Sequence, residues 1–185
     1  SDYDKMINEN VIVGCGTLGS ALSLRLAQDR LISQLKIYDF DIVSFHNSES
    51  IYPFNSDEAG LPKVQIIKFL CRKIYPDLNI EVYQEKVTKP FTNGEFVIDC
   101  RDCKMPPINS CIRLSMDGYL FYVDSRKKQK ETKNYYKYIY PRNPLYIESA
   151  IDIAINYLKN EEYKSNELRL YNLKRQECNI LTRES

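Results

Sequence analysis

VIVGCGTLGSALSLRL (residues 11–26) is an apolar run, then three glycines spaced G-x-G-x-x-G, then a segment with apolar residues at helical intervals. Leu18, Leu22 and Leu26, with Ala21, fall on one helix face. A strand turning into a helix through Gly14, Gly16 and Gly19 lets backbone approach a phosphate. The free N–H groups and positive dipole end of the helix attract that charge. Alone, such a turn is equally a tight strand–helix connection with no ligand. The next segment, LKIYDFD, alternates Leu35, Ile37, Asp39 and Asp41 against Tyr38 and Phe40, as a strand does. Asp39 stands twenty residues beyond Gly19, where an acidic side chain at a strand end accepts hydrogen bonds from ribose hydroxyls. Strand, turn, helix and strand make a βαβ unit, the seed of a parallel sheet.

Outward from that unit, residues 43–61 read as a long polar loop. A helix begins at Pro62, with Val64, Ile67, Leu70 or Cys71, and Ile74 as its buried stripe, and Pro76 ends it. NIEVYQEKV and EFVIDC read as strands. Ile108, Cys111, Ile112 and Met116 recur at helical spacing and predict a helix over 107–116, with LFYVD a strand behind it. YYKYIY is a further strand. Ile147, Ala150, Ile151, Ala154, Ile155 and Leu158 mark an amphipathic helix, and LRLYNL a last edge strand. The basic stretch SRKKQKETK (residues 125–133) reads as a solvated hairpin loop or as an anion-contacting one. The expected fold is α/β, a Rossmann-like, doubly wound, mostly parallel sheet with an antiparallel extension. One nucleotide-binding domain is expected over residues 1–176, and a loose tail over 177–185.

Composition sets outer bounds. A chain of 185 residues with 43% hydrophobic and 28% charged residues is an ordinary single globular domain. A net charge of +1 gives no global field favouring nucleic acid or a membrane surface. No apolar run approaches the roughly 18 residues that cross a bilayer, and no signal peptide precedes the first strand, so a cytoplasmic protein is expected. Six cysteines in such a chain read as reduced, mostly buried thiols. Cys100 and Cys103 form a C-x-x-C, but a structural zinc site needs a second pair at matching spacing.

Further motifs follow the glycine turn in order: D39-F-D41-I-V, then Asn47, then G60-L-P-K63 opening a helix, then D99-C-R-D102. This series resembles the ThiF/MoeB/E1 family, ATP-dependent activators of ubiquitin-like and sulfur-carrier proteins. The resemblance covers residues 10 to about 125. It implies that Gly14, Gly16 and Gly19 approach the nucleotide phosphates, that Asp39 holds the ribose, and that Asp41 orients the loop behind it. It further implies that Asn47 reaches the phosphates or the reacting carboxylate, Lys63 neutralises phosphate charge, and Asp102 holds Mg²⁺. The cofactors implied are ATP and Mg²⁺. The implied partner is a ubiquitin-like or sulfur-carrier protein, or a peptide, with a C-terminal glycine, and the implied state is a homodimer or heterodimer. Taken singly, Asn47 is a turn former, Lys63 a surface lysine and Asp102 a turn cap; taken together they favour a site. His46, the lone histidine, reads as a loop residue.

The chain departs from the family pattern. Ser50 stands where the family places an arginine after Asn47. Lys104-Met105-Pro106-Pro107 follows the D-x-x-D segment where another arginine is usual, and SDYDKMINEN supplies none at the N-terminus. Arginines aimed at a transferring phosphoryl group contribute about 10³ to 10⁵ in rate. Arg101, Lys104, Arg113 and the run Arg126-Lys127-Lys128 are the candidate substitutes. Cys111 and Cys178 are the default candidates for a thioester cysteine. Two readings follow: an adenylating enzyme, or a catalytically degenerate subunit that binds nucleotide or scaffolds a dimer. A nicotinamide-dependent oxidoreductase is a weaker third, because no proton donor accompanies the turn.

Overall fold

The apolar run around Ile12 forms β1 (Asn10–Val13), and all four of its residues are buried, as in a central strand covered on both faces. The computed structural model describes residues 1–44, 53–102, 105–129 and 144–184. The other strands are β2 (Gln34–Tyr38), β3 (Asn79–Tyr83), β4 (Phe96–Asp99), β5 (Ile112–Asp117), β6 (Leu120–Asp124), β7 (Glu167–Asn172) and β8 (Glu177–Arg183). Pairing is parallel between β1 and β2, β2 and β3, β1 and β4, and β4 and β5. From β5 outward it is antiparallel. The order β3-β2-β1-β4-β5-β6-β7-β8 reverses direction at β1. That reversal opens a crevice at the carboxyl ends of β1 and β4. The Rossmann-like sheet and its antiparallel extension stand as expected.

Helices α1 (Asp2–Asn8), α2 (Thr17–Gln28), α3 (Lys63–Ile74) and α4 (Pro144–Lys159) accompany the sheet. One face carries the main core: Leu22 and Leu26 of α2, Ile67 and Cys71 of α3, and Ile151 and Leu158 of α4 pack with Ile12, Ile37 and Ile98. The other face is sealed by loop residues instead, with Ile108, Val87 and Phe91 on Val11, Val13 and Val97. Along α3 the stripe is Val64, Ile66, Ile67 and Cys71, while Ile74 is 40% exposed.

Two local expectations are corrected. Residues 107–116 do not form a helix; Ile112–Asp117 is β5. Ile112 and Leu114 join the main core, whereas Arg113 is directed to Asp99. Burial on both faces hides the period of two, so Ile108, Cys111, Ile112 and Met116 mimic a helix. Asp117-Gly118 is the overlooked signal: Gly118 has φ 60 as the first of two residues linking β5 to β6, the positive value such a hairpin turn requires. The segment 177–185 is no loose tail, because Glu177–Arg183 forms β8 against β7. Nearly every residue of β8 is exposed, so burial marks no inward face along it, and backbone pairing with β7 specifies most of the strand. The expected strand YYKYIY lies outside the described residues.

Glu167 fastens this extension. It is 4% exposed, and its carboxylate accepts hydrogen bonds from Arg169 Nε at 2.8 Å and Arg183 Nε at 2.9 Å. Burial pushes its pKa up, yet the two arginines outweigh burial and hold it below the ordinary glutamate value. A carboxylate depressed in the folded state contributes stability above its unfolded value, and loses it as pH falls through the folded one. Glu167→Gln is expected to lower unfolding free energy by about 1–3 kcal/mol at pH 7 and to flatten the acid-side fall in stability, read by urea denaturation between pH 7 and pH 3.

Candidate functional site

The crevice at the reversal point holds about 250 Å³ and is lined by Gly14 and Gly16 of the turn, Asp39 and Asp41 beyond β2, Lys86 beyond β3, and Asp102 beyond β4. The three glycines serve three different needs. Gly14 adopts φ 107, and a Cβ there would meet the Cys100 carbonyl at 3.0 Å, so the turn lies directly on the end of β4. A Cβ on Gly19 would sit 1.7 Å from the Gly14 carbonyl oxygen, so Gly19 permits α2 to close on the turn. Gly16 has an ordinary φ of −73 and caps α2 without a side-chain hydrogen bond. A Cβ at Gly16 would meet nothing within 4 Å. Its missing side chain therefore leaves room that the protein does not fill. Thr17 Oγ1, at the first position of α2, is buried and lacks a hydrogen-bond partner among the described residues.

Asp39 is built into the turn. Its carboxylate accepts the Cys15 N–H at 2.6 Å and the Asp41 N–H at 2.7 Å, and the lone pairs left on each oxygen suit further donors. Burial first, and then repulsion from Asp39, push the Asp41 carboxyl above the ordinary aspartate value, against the pull of Lys63. Lys63 is 5% exposed. Its N–H donates to the Asp41 carbonyl at 3.1 Å, and its Nζ lies 3.8 Å from Asp41 Oδ2 and 5.6 Å from the centre of the Phe54 ring. A buried lysine in the first turn of a helix opposes the helix dipole, and among the described residues one carboxylate, that of Asp41 at 3.8 Å, compensates it. Lys63 is not on the crevice wall; it reaches the crevice through Asp41. Asn47 and His46 lie outside the described residues, as do Ser50, Cys103 and Lys104.

Two of the candidate substitute arginines are engaged elsewhere. Asp99, fully buried at the end of β4, accepts Arg101 Nε and Nη2, each at 3.0 Å, and lies 3.3 Å from Arg113 Nε. Arg113 Nη2 donates to the carbonyls of Asp102 at 3.1 Å and Met105 at 2.6 Å, pinning the loop that presents Asp102. Sequence reasoning missed Glu85 and Lys86 on the wall, because NIEVYQEKV reads as one strand. In fact β3 stops at Tyr83. Since β3 runs parallel to β1, whatever follows it must arrive at the crevice edge, and that was the available signal. Burial raises the thiols of Cys15, Cys71, Cys100 and Cys111, Cys71 to about 12, so none of these four is poised as a thiolate nucleophile. Cys178 is exposed on β8.

A glycine turn at the reversal point of a parallel sheet, with an acidic side chain at the end of β2, defines an α/β protein of Rossmann type. The family model described as the ThiF family matches residues 6–107, more than half of the chain, and the chain belongs to the ThiF family. It is 33% identical over 97 residues to the molybdopterin-synthase adenylyltransferase of Haemophilus influenzae, a match covering 50% of this chain and 40% of that protein. It is 35% identical over 88 residues to the ubiquitin-like modifier-activating enzyme 5 of Gallus gallus, covering 47% of this chain and 22% of the relative. The chain thus spans less than half the length of either relative. Solved structures of E. coli MccB share the fold across 98% of this chain and 66% of theirs. One with MccA gives a TM-score of 0.72 at 16% identity, and one with ATP gives 0.68 at 14%.

The glycines are separable by substitution. Gly19→Ala, forcing a Cβ into backbone, is expected to cost about 3 kcal/mol or more, whereas Gly16→Ala is expected to cost at most about 1 kcal/mol. Paired thermal melts check this ordering.

Proposed function

We propose that this chain binds Mg-ATP in the crevice and adenylates a carboxylate, that of a C-terminal glycine on a ubiquitin-like or sulfur-carrier protein or a peptide. One observation carries the reading: Gly16 leaves unfilled space beside the uncapped N-terminus of α2, where backbone N–H groups receive phosphate oxygens. Membership in the ThiF family and the ATP named with the MccB neighbour support it. Gly14, Gly16 and Gly19 shape the phosphate cradle, Asp39 takes the ribose hydroxyls, and Asp41 with Lys63 forms the adjoining ion pair. Lys63, buried beside Asp41, is the cation that would turn toward the phosphates, and Asn47 belongs to the same proposal. A carboxylate oxygen attacks the α-phosphorus, the bond to the bridging oxygen of the β-phosphate breaks, and pyrophosphate leaves. No general base is required, since the attacking carboxylate is already ionised at neutral pH.

The lining of the crevice sets a demand on the metal. Among the described residues of the lining, Asp39, Asp41, Glu85 and Asp102 face Lys86 and Arg101, and Arg101 is bound to Asp99. Among the described residues no cluster of three or more acidic, His or Cys side chains is arranged to hold an ion. This suits Mg²⁺ held by Asp102 and by the phosphates themselves, the usual mode for that ion. When bound, it would draw charge from the phosphate oxygens. The engagement of Arg101 and Arg113 by Asp99 favours a second reading, a subunit that holds nucleotide within a dimer and leaves phosphoryl transfer to its partner. No described helix is long and apolar enough to cross a membrane, and a cytoplasmic homodimer or heterodimer is part of the proposal.

Calorimetric titration with ATP is expected to show binding that weakens at least about tenfold when Mg²⁺ is chelated. Pyrophosphate exchange driven by a carrier or peptide tail is expected to fall about 10²-fold or more in Lys63→Ala. Nucleotide binding without exchange supports the silent-subunit reading, and absence of both overturns the site.

A further inference from the structure

A second cavity, of about 630 Å³, lies at the opposite edge of the sheet, where β4 and β5 begin and β6 ends. Its charge is the reverse of the crevice's. Lys5 from α1, Arg126 and Lys127 after β6, and Lys164 near β7 converge on it from three separate parts of the chain, against Asp2 and Glu95.

The individual pairings sharpen that contrast. Glu95 is held by Lys36 at 3.1 Å, which leaves Asp2 as the cavity's other acid. Lys164 pairs with Glu161 at 2.8 Å. Arg126 grips Asp124 through Nε at 2.8 Å and Nη2 at 2.7 Å, in the same Asp-x-Arg arrangement that Asp99 and Arg101 adopt at the crevice. Lys5 and Lys127, by contrast, form no ion pair among the described residues, though both belong to the cavity wall. Lys5 Nζ leans over Gly94, whose Cβ, if present, would lie 3.6 Å away. Tyr163, on the same wall, carries a buried hydroxyl with no hydrogen-bond partner among the described residues. Two ammonium groups that form no ion pair among the described residues, on the wall of one concavity beside a tethered guanidinium, suit a compact, multiply charged oxyanion. An ammonium donating to such an anion forms charge-assisted hydrogen bonds, roughly twice as strong as neutral ones.

We propose that this far-edge cavity binds a small phosphate-bearing anion, with Lys5 and Lys127 as its primary contacts. The claim stands apart from the ATP crevice and survives if that reading fails. It accounts for the basic stretch after β6 as an anion-contacting segment at Ser125, Arg126 and Lys127, its first three residues, all of which line the cavity.

The test is a ¹⁵N-resolved titration of the intact chain with inorganic phosphate and, separately, pyrophosphate, at low ionic strength and again near 0.15 M salt. Saturable shifts are expected at the amides of Gly94, Ser125 and Lys127, weaker at the higher salt. Lys5→Glu with Lys127→Glu, both at exposed positions, is expected to weaken binding at least about tenfold. The charge-matched control Lys73→Glu with Lys159→Glu, on the helical face, is expected to leave it within about twofold. Gly16→Leu, which blocks the crevice, is expected to leave these amide shifts unchanged. No saturable shift, shifts confined to the crevice, or equal weakening by the control pair would each overturn the proposal.

Discussion

The Asp39 carboxylate holds two backbone N–H groups, those of Cys15 and Asp41, and the geometry of the crevice follows from that grip. One oxygen fixes the glycine turn after β1; the other fixes the chain leaving β2. Charge-assisted bonds to backbone contribute about 1.5–3 kcal/mol each, enough to hold two loops in one register. From Asp41 the ordering passes on, through its carbonyl to the Lys63 N–H, and through the bridge between Ile42 and Pro62, to the start of α3. A single acidic side chain thus positions the turn, the acidic loop and the buried lysine together. Any ribose binding at Asp39 would use what remains of a carboxylate whose first task is structural.

The parallel half was legible because its signals are local and redundant. The apolar run of β1, the glycine spacing and the Pro62 helix start each name one element, and together they imply the winding. The antiparallel half was legible only in outline. In β5, Arg113, Ser115 and Asp117 are as buried as Ile112 and Leu114, so polarity ceased to report exposure and the strand passed for a helix. In β8 the opposite holds: both faces meet water, and pairing left no trace in side-chain character. At the site, Gly14, Gly16, Asp39, Asp41 and Asp102 do gather in one crevice. Burial of Lys63 behind Asp41 was not readable, since it depends on Phe54 and on where the intervening loop returns. Nor could the sequence show that Arg101 and Arg113 are drawn onto Asp99, because buried partners decide that and chain proximity does not.

The two edges of the sheet carry opposite charge although the chain is nearly neutral. Acidic groups gather where the parallel strands end, and basic groups where β4 and β5 begin. In both places an aspartate closing a strand is bridged by the arginine two residues later, Asp99 with Arg101 and Asp124 with Arg126. Such a bridge gives a buried carboxylate a charged hydrogen-bond partner at a point where the ladder stops. The difference between the edges lies in what surrounds each bridge, carboxylates at one and lysines at the other. Net charge alone hides this division.

The outermost hairpin has a dynamic consequence. Strand β8 covers almost no apolar surface, so its ladder to β7 is held by backbone bonds and by Glu167, with little hydrophobic contribution. Its amide protons therefore belong to a sub-global opening unit of low free energy, free to detach and re-form while β1 and β4 stay shut. The molecule is accordingly firm at the glycine turn and soft at its far margin. A limited proteolytic digest would record that gradient as early cuts between β7 and β8.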